Sequence, residues 1–530
     1  MTEENESTQN NAKRSEAVSG MVFHAARMMV GTLVSRVLGL VREMLTAALF
    51  GATRQLDAFF VAYTLANLSR QLLAEGALSA SFVPVFSRTL SSEGKKSALD
   101  LARQALSVII AGCATVIILG LVFAPLLVNI MAPGFDKEAK DIAVSLTRLM
   151  LPFLLLVSAG ALAMGVLNSM GSFFIPAIAP ALSNLAYILF LLATTKHITI
   201  WNLAFAVLIG GICHMGLQFL WCGKMDMPLR PTVPKKDNTQ LRSMMALFLP
   251  YAAGLSLNQL NPLINRMLGS FLSAGSISVL TYADRVLQLP LGLFVIAISQ
   301  AVLPMLSRQD PNMTDDFRDF VRDAMRFNLF VILPVAIGLA ITSNEIVHLL
   351  FYRGAFNEWA WHSTSNALSL YALGLPGMAS STLIMRAIYA RRMPKAAVMV
   401  TTANITVNLC ASVLLMHYFR YMGLAAASAI AATSASVFAA YLLSRDIGVK
   451  LKIFDTKWLA KILPPIAAMS LFLFVLKTLM PYPADSDFLR RIVWIAASII
   501  LAAIVYAIAT LLLKCSEWTW ISGAVKKKKS

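Results

Sequence analysis

Charged residues are scarce in this 530-residue sequence: 14% are Asp, Glu, Lys or Arg, whereas 58% are hydrophobic and the mean hydropathy is +0.70. This composition excludes a water-soluble globular protein and is typical of a polytopic membrane protein. The hydrophobic segments leave no room for a separate soluble domain. Residues 1–20 are polar and lack the apolar core of a signal peptide, so we predict a disordered tail there.

Three further features that the sequence lacks exclude or disfavour particular classes of function. The five cysteines lack paired spacing, which argues against a disulfide framework or a metal site. A Walker A motif is missing, so we expect no ATP hydrolysis. The six histidines are scattered, and none joins Asp or Glu at metal-ligand spacing, which disfavours a polytopic enzyme. They are His24, His197, His214, His348, His362 and His417.

Lysine is absent from the hydrophobic stretches as we delimit them, and all seven cations inside them are arginines. They are Arg27, Arg36, Arg42, Arg70, Arg148, Arg266 and Arg285. Each guanidinium costs roughly 2.5–3.5 kcal/mol near the bilayer centre, so several together indicate a hydrated interior. Arginine also binds phosphate or carboxylate through two parallel hydrogen bonds. The pattern predicts an anion site inside a membrane.

Apolar stretches separated by Gly, Pro and charge clusters predict fourteen transmembrane helices. Their centres lie near residues 36, 72, 118, 153, 183, 211, 256, 291, 332, 377, 406, 432, 469 and 502. The tails and even-numbered connections hold 29 Lys and Arg, and the opposite loops hold 9. The positive-inside rule therefore places both termini in the cytoplasm. Because the net charge of +18 follows the loops, we expect no nucleic-acid partner.

The chain repeats itself at an offset of 220 residues. Residues 77–88 match residues 297–308 at five positions, Gly134 matches Gly354, and Asn184 matches Asn404. This offset superposes helix 2 on helix 8 and helix 5 on helix 11, so the unit is six helices in parallel orientation. We predict an all-α fold of two six-helix lobes (21–222 and 223–455), an additional helix pair (456–515) and a basic tail (516–530).

Charged residues concentrate in helices 1, 2 and 8. Arg36 and Arg42 are separated by about 9 Å of helix rise, and the other cations are Arg70 and Arg285. Four acids accompany them: Glu43, Asp57, Glu75 and Asp284. One interpretation is that the acids form structural ion pairs, and the other is that the excess of arginines leaves a cationic cavity for an anion. Arg27 and Arg148 are expected near helix ends, where they reach the interface.

From about residue 21 to 515 the chain resembles the MurJ/MviN family of lipid II flippases, within the superfamily of multidrug and oligosaccharidyl-lipid exporters. The segments that carry the resemblance are SRVLGLVRE (35–43), LDAFFVAY (56–63), NLSRQLLAEGALSASFVP (67–84), LNSMGSFFIPAIAP (167–180), YADR (282–285), LFYRGAF (350–356) and RAIYARRMPKAA (386–397). Their order and spacing match the family pattern. Ala66 replaces an expected proline, and Arg266 is an additional charge.

The resemblance implies a carrier in the bacterial cytoplasmic membrane, active as a monomer and surrounded by membrane lipids. It would move undecaprenyl-pyrophosphate-linked peptidoglycan precursor, lipid II, to the outer leaflet by alternating access. The family's functional arginines correspond to Arg36, Arg42, Arg70 and Arg285. Asp57 corresponds to an acid near the outer gate. Helices 13 and 14 would line a groove for the lipid tail.

No cofactor is expected, so the driving force is Na⁺, the membrane potential or consumption of product. Asn404 and Asn408 lie four residues apart on helix 11 and offer oxygens for a sodium site, although interhelical hydrogen bonding is the more common role of such residues. A related exporter of drugs or of another lipid-linked saccharide is the alternative. A scaffold without transport would leave the buried arginines unexplained.

Overall fold

The structure, a computed structural model, describes residues 31–69, 78–235, 237–256, 259–295, 298–299, 302 and 314–518. The described residues form helices and connecting turns, without a β-strand. Ten helices in this part of the chain are long and apolar enough to cross a membrane. The predicted all-α, polytopic fold is therefore confirmed.

Two compact units divide the chain, and the first consists of residues 1–50 and 54–259. Its described helices are α1 (described from 31 to 50), α2 (Arg54–Ser69), α3 (Ser79–Ser92), α4 (Lys95–Met131), α5 (Lys137–Met150), α6 (Phe153–Ser169), α7 (Phe174–Ala193), α8 (Ile200–Lys224) and α9 (Thr239–Ser256). A single-turn 3₁₀-helix, Thr195–His197, joins α7 to α8. Helix α9 packs against α3 and α4 in this unit, although the 220-residue repeat assigns it to the second lobe.

The second unit consists of residues 51–53 and 260–530. Its described helices are α10 (Leu260–Gly269), α11 (Ser276–Pro290), α12 (Thr314–Ile341), α13 (Ser343–Phe351), α14 (Glu358–Ala390), α15 (Pro394–Phe419), α16 (Tyr421–Ile447), α17 (Thr456–Leu479) and α18 (Phe488–Leu512). A five-residue π-helix, Leu291–Val295, follows α11. Helices α17 and α18 are the predicted additional pair, and they pack against each other and against α12.

Ten of the fourteen predicted span centres fall within the ten span-length helices. The other four centres are residues 36, 72, 256 and 291, which belong to the first two helices of each repeat. Residue 72 lies outside the described residues, residue 256 ends α9, and residue 291 begins the π-helix. Residues 1–30, 70–77, 257–258 and 296–297 lie outside the described part of the chain, so the predicted spans around these four centres stay predictions.

Close backbone packing joins α14 to α16. A Cβ atom added to Gly377 would lie 2.7 Å from the Thr433 amide nitrogen, and one added to Gly374 would lie 2.8 Å from Ala429 Cα. Small residues allow helix backbones to approach this closely inside a membrane. Helices α14, α15 and α16 thus form a compact group that supports polar residues of the second unit.

Lys477 lies inside a span-length helix, although the sequence analysis delimits the hydrophobic stretches without lysine. It lies in the last turn of α17, and its Nζ atom is 2.7 Å from Glu345 Oε1 and donates to the Ile341 carbonyl at 2.8 Å. The Glu345 side chain is buried, so the ammonium group supplies the countercharge that this carboxylate needs. The additional helix pair is thereby attached to the end of α12 and to α13.

His348, on α13, lies outside the ten span-length helices and is 4% exposed. Its ring packs on Tyr352 and Trp361, with centroid distances of 4.8 and 4.7 Å, and its Nδ1 atom lies 3.2 Å from the Tyr482 hydroxyl. Burial, together with the positive charge of Arg491, lowers the pKa of His348 below its usual range. The imidazole is therefore neutral at pH 7 and links α13 to the loop before α18.

This neutral, buried histidine predicts that the protein loses stability in acid. The unfolded chain binds a proton at His348 below pH about 6.5, whereas the native state resists it, so the unfolding free energy falls as the pH drops through that range. Thermal unfolding at pH 7.5 and 5.5 should show a smaller acid-induced decrease in melting temperature for His348→Gln than for wild type. The exposed-site variant His197→Gln is the matched control. Equal decreases in wild type and His348→Gln would contradict the assignment.

Candidate functional site

Arg42 is the centre of a polar network in the first unit. Its Nη2 atom lies 2.6 Å from Glu43 Oε1, and its Nη1 atom donates to Asn184 Oδ1 at 3.1 Å. The Asn184 amide nitrogen donates in turn to the Ser35 carbonyl at 3.1 Å. Glu43 is 6% exposed. This arrangement joins α7 to α1 at two points and neutralises the guanidinium within the unit.

Two further residues hold Arg42 in place. The guanidinium carbon lies 5.4 Å from the centre of the Tyr187 ring, within the range of a cation–π contact. Thr46 Oγ1 donates to the Arg42 carbonyl and lies 3.1 Å from the Tyr187 hydroxyl. Arg42 is therefore restrained by three kinds of contact: an ion pair, an amide hydrogen bond and an aromatic face.

Arg36 has a different environment, although it lies only six residues earlier on α1. Its side chain is exposed, and within the described part of the chain it makes no hydrogen bond or ion pair. The same helix therefore carries one arginine that is held by protein groups and one that remains available to an anion. Of the two alternatives from the sequence, Arg42 follows the ion-pair interpretation and Arg36 does not.

Asp57 is fully buried near the start of α2. The Arg54 guanidinium lies 4.0 Å from Asp57 and 3.9 Å from Asp136, and its carbon lies 5.2 Å from the centre of the Phe135 ring. The sequence analysis did not predict this pairing. The arrangement gives Asp57 a countercharge from its own helix and connects α2 to the start of α5.

The second unit contains a polar cavity of about 330 Å³. Four asparagines from α10 and α15 line it: Asn261, Asn265, Asn404 and Asn408. Asn261 donates to Asn404 at 2.5 Å, and Asn408 donates to Asn261 and Asn265 at 3.3 and 3.2 Å. Ser428, on α16, donates to Asn408 and accepts from Asn265. We call these five residues the amide network.

Charged groups border the amide network. Arg266 lines the same cavity and donates to the Ile277 carbonyl and to Thr281 Oγ1. Asp284 also lines it and accepts a 2.7 Å hydrogen bond from Gln288. The additional arginine noted in the sequence is thus anchored to α11, where it faces the cavity. The described residues contain no cluster of three or more His, Cys, Asp or Glu side chains that would hold a metal ion.

The structure distributes the predicted site residues over both units. Arg36, Arg42, Glu43 and Asp57 lie in the first unit, and Asp284 lies in the second together with Arg285, which is half-buried on α11. The predictions for Arg70 and Glu75, and for Arg27, fall outside the described residues. Arg148 lies exposed in the last turn of α5 and donates to the Leu121 carbonyl.

Asn184 and Asn404, which match at the 220-residue offset, make equivalent contacts. Asn184 bonds to Arg42 on α1, and Asn404 bonds to Asn261, whose counterpart at the same offset is Val41. In each repeat, the fifth helix is therefore bonded to the first by the same asparagine. Sequence reasoning used this pair to find the repeat but did not predict its hydrogen-bonding role.

The described helices have the fold of a polytopic membrane protein, and a solved transporter shares it. A solved inward-facing multidrug resistance MATE family transporter of the MOP superfamily covers 81% of this chain and 99% of its own, with a TM-score of 0.67. Its 15% sequence identity supports the fold alone. A family model described as "Lipid II flippase MurJ" matches residues 46–516. The chain therefore belongs to the lipid II flippase MurJ family.

Individual relatives agree with this membership. The "Probable lipid II flippase MurJ" of Haemophilus influenzae is 31% identical over 506 residues, which cover 91% of this chain and 98% of the relative. A solved structure described as "Lipid II flippase MurJ, inward closed conformation" is 25% identical, with a TM-score of 0.76, and covers 92% of this chain and 98% of its own. The resemblance predicted from the sequence motifs is confirmed.

The Arg42 network predicts a specific loss of stability when its carboxylate is removed. Glu43→Ala should lower the unfolding free energy by about 2–3 kcal/mol, because the Arg42 guanidinium would lose its countercharge in a poorly hydrated site. The measurement is the melting temperature of the purified protein in detergent. Glu138→Ala removes an exposed carboxylate from the same unit and should leave the melting temperature nearly unchanged. Equal melting temperatures of the two variants would disprove a stabilising role for the pair.

Proposed function

We propose that this protein moves lipid II from the cytoplasmic to the outer leaflet of the bacterial inner membrane by alternating access. The observation that carries the proposal is family membership over residues 46–516. The ten span-length helices support a location within the membrane. Drug export, the alternative from the sequence, rests only on neighbours that share the fold at low sequence identity.

Arg36, Arg70 and Arg285 bind the pyrophosphate in this proposal. The exposed Arg36 guanidinium supports its role, because it has no protein partner among the described residues and is free to form two parallel hydrogen bonds with phosphate. Arg42 completes the cationic surface. Since Glu43 and Asn184 already occupy it, we assign Arg42 mainly to positioning α1 and, with Asp57, to closure of the outer side.

Glu75 and Asp284 act as charge partners that limit the excess of positive charge. Asp284 lines the cavity that Arg266 also lines, which supports this role in the second unit. A site that binds an anionic head group must also release it, and carboxylates near the arginines weaken the product complex. The sugar and peptide of the head group would occupy hydrated space, which polar side chains tolerate.

The topology follows the positive-inside rule, with both termini in the cytoplasm. Helices α17 and α18 would line a groove for the polyprenyl tail while the chain acts as a monomer among membrane lipids. Their surfaces support contact with hydrocarbon, since Leu471, Phe474, Leu489 and Leu512 are each at least 65% exposed. Leucine and phenylalanine side chains exposed to this extent are stable only against lipid or an apolar ligand.

The arginine assignment predicts the outcome of a reconstitution assay. Arg36→Ala and Arg285→Ala should each lower the rate of leaflet exchange of labelled lipid II at least about tenfold, the effect of losing one charge-assisted contact. Arg36→Lys retains the charge but not the paired hydrogen bonds, and should restore only part of the rate. Proteoliposomes with lipid II labelled on one side provide the measurement.

Arg148→Ala is the matched control for this assay, because it removes an exposed arginine at a helix end. It should exchange lipid II at the wild-type rate. Full activity of both Arg36→Ala and Arg285→Ala, at wild-type protein content, would overturn the phosphate-binding assignment. If all variants transport an organic cation at the wild-type rate and none exchanges lipid II, the protein is a drug exporter instead.

For the driving force, we propose the membrane potential rather than Na⁺ bound at Asn404 and Asn408. In the amide network, Asn404 Oδ1 accepts from Asn261 and Asn408 Oδ1 accepts from Ser428. The five residues of the network include no carboxylate, and the Arg266 cation offsets the Asp284 carboxylate in the lining of the same cavity, so the cavity has no net negative charge to hold Na⁺. An anionic head group leaving a negative interior gains roughly 2.3 kcal/mol per charge for each 100 mV.

This proposal predicts that replacing Na⁺ by K⁺ on both sides of the vesicle leaves the exchange rate unchanged. Collapsing an inside-negative potential should slow outward movement, because the anion then loses its electrical driving force. The measurement uses lipid II exchange in vesicles with a potential set by valinomycin and a K⁺ gradient, and Asn404→Ala serves as a second probe of the amide network. If the exchange rate depends on the Na⁺ gradient in wild type but not in Asn404→Ala, the proposal is wrong and the asparagines form a sodium site.

A further inference from the structure

An apolar cavity of about 260 Å³ lies inside the first unit, between α4, α6 and α9. Helix α4 contributes a stripe of residues at helical spacing, α9 contributes two methionines and a phenylalanine, and α6 contributes one serine. The lining residues include Val108, Gly112, Cys113, Ser158, Met244 and Phe248. Apart from the Ser158 hydroxyl and the Cys113 thiol, these side chains offer a ligand no polar group. A space of this kind takes hydrocarbon rather than water.

Gly112 keeps this cavity open. A Cβ atom added there would meet no other atom within 4 Å, unlike the close approaches of Gly374 and Gly377. The glycine is therefore not required for helix packing, and glycine in a helix costs roughly 1 kcal/mol relative to alanine. A larger residue would fill the space between α4 and α9. The structure leaves that volume to something outside the chain.

The cavity opens towards the bilayer. Only 17% of the apolar window of α4 is buried, and two lining residues at the cavity edge, Val116 and Met245, are 39% and 41% exposed. Hydrocarbon chains of the surrounding lipid therefore have direct access. Neither Arg36 nor Arg285, the two predicted phosphate-binding residues within the described part of the chain, lines this cavity.

A cation lies within one helical turn of a residue at the edge of the same cavity, since Arg242 and Met245 are three positions apart on α9. Arg242 is exposed on α9, less than one turn before the lining residues Met244 and Met245. Hydrogen bonds attach the segment around the start of α9 to the α3–α4 region, because Ser107 donates to the Thr232 carbonyl at 2.7 Å and Gln240 donates to Glu93 at 2.6 Å. An arginine near the polar end of a membrane helix can extend its side chain to the lipid phosphates.

We propose that this cavity binds one acyl chain of an anionic phospholipid, with the lipid phosphate at Arg242. The apolar lining selects the chain, and the guanidinium selects a negatively charged head group in the leaflet that the proposed topology makes cytoplasmic. The bound chain fills the space between α4 and α9 that the protein's own side chains leave empty. The site is independent of lipid II transport and would persist if the proposed function were wrong.

Native mass spectrometry of the purified full-length protein tests the proposal, using phosphatidylglycerol and phosphatidylcholine as the two lipids. Wild type should retain one phosphatidylglycerol molecule per chain. Gly112→Phe should lower its occupancy about tenfold by filling the cavity. Arg242→Gln should lower it about fivefold, the effect of one cation at the lipid surface, without affecting phosphatidylcholine.

Two variants on α4 serve as matched controls. Gly112→Ala adds a methyl group that the cavity can accommodate, and Val122→Phe adds the same ring as the test variant at a site that is 64% exposed. Both should retain the lipid as wild type does. If Gly112→Phe retains phosphatidylglycerol equally well, the proposal is wrong. Wild type could instead retain undecaprenyl phosphate more strongly than phosphatidylglycerol, and Gly112→Phe could lose that retention. This result would contradict the proposal and indicate that the cavity binds an isoprenoid chain.

A second measurement does not depend on a folded Gly112→Phe protein. Cys113 lines the cavity, whereas Cys410 is exposed on α15, so alkylation by N-ethylmaleimide can be compared at the two thiols in one sample. Phosphatidylglycerol should slow alkylation of Cys113 relative to Cys410 in wild type, and should do so less in Arg242→Gln. A Cys113 rate that does not respond to phosphatidylglycerol would equally overturn the proposal.

Discussion

The unfavourable transfer of charge into hydrocarbon governs this structure. Every charged side chain that the chain places at membrane depth needs a countercharge, a hydrogen-bonding partner or water. Arg42 has the first two, from Glu43 and Asn184, and Arg266 has partners on α11. Arg36 remains exposed, which is stable only where water or an anionic ligand reaches it. The contrast between the paired Arg42 and the exposed Arg36 follows from that requirement.

Helix positions could be predicted from the sequence because they depend on the length and hydrophobicity of local segments. The ten span-length helices coincide with predicted centres for this reason. The contact between Lys477 and Glu345 could not be predicted in the same way, because the two residues lie 132 positions apart in the chain and local hydropathy gives no information on such a pair.

The partners of the site residues could be predicted only in part. The acid next to Arg42 in the sequence proved to be its ion-pair partner, but Asn184 is 142 residues away and Tyr187 lies beside it. The sequence does contain a signal for the amide network, since Asn261 and Asn265 have the same four-residue spacing as Asn404 and Asn408. Which of these amides face each other depends on the rotation of two packed helices, and that rotation is a tertiary property.

The amide network has a consequence for the environment in which the protein works. Carboxamide and hydroxyl groups neither gain nor lose protons between acid and neutral conditions. The hydrogen bonds that connect α10, α15 and α16 therefore do not depend on protonation in this pH range. A carboxylate network in the same place would change its charge with the surroundings, whereas this one is indifferent to them.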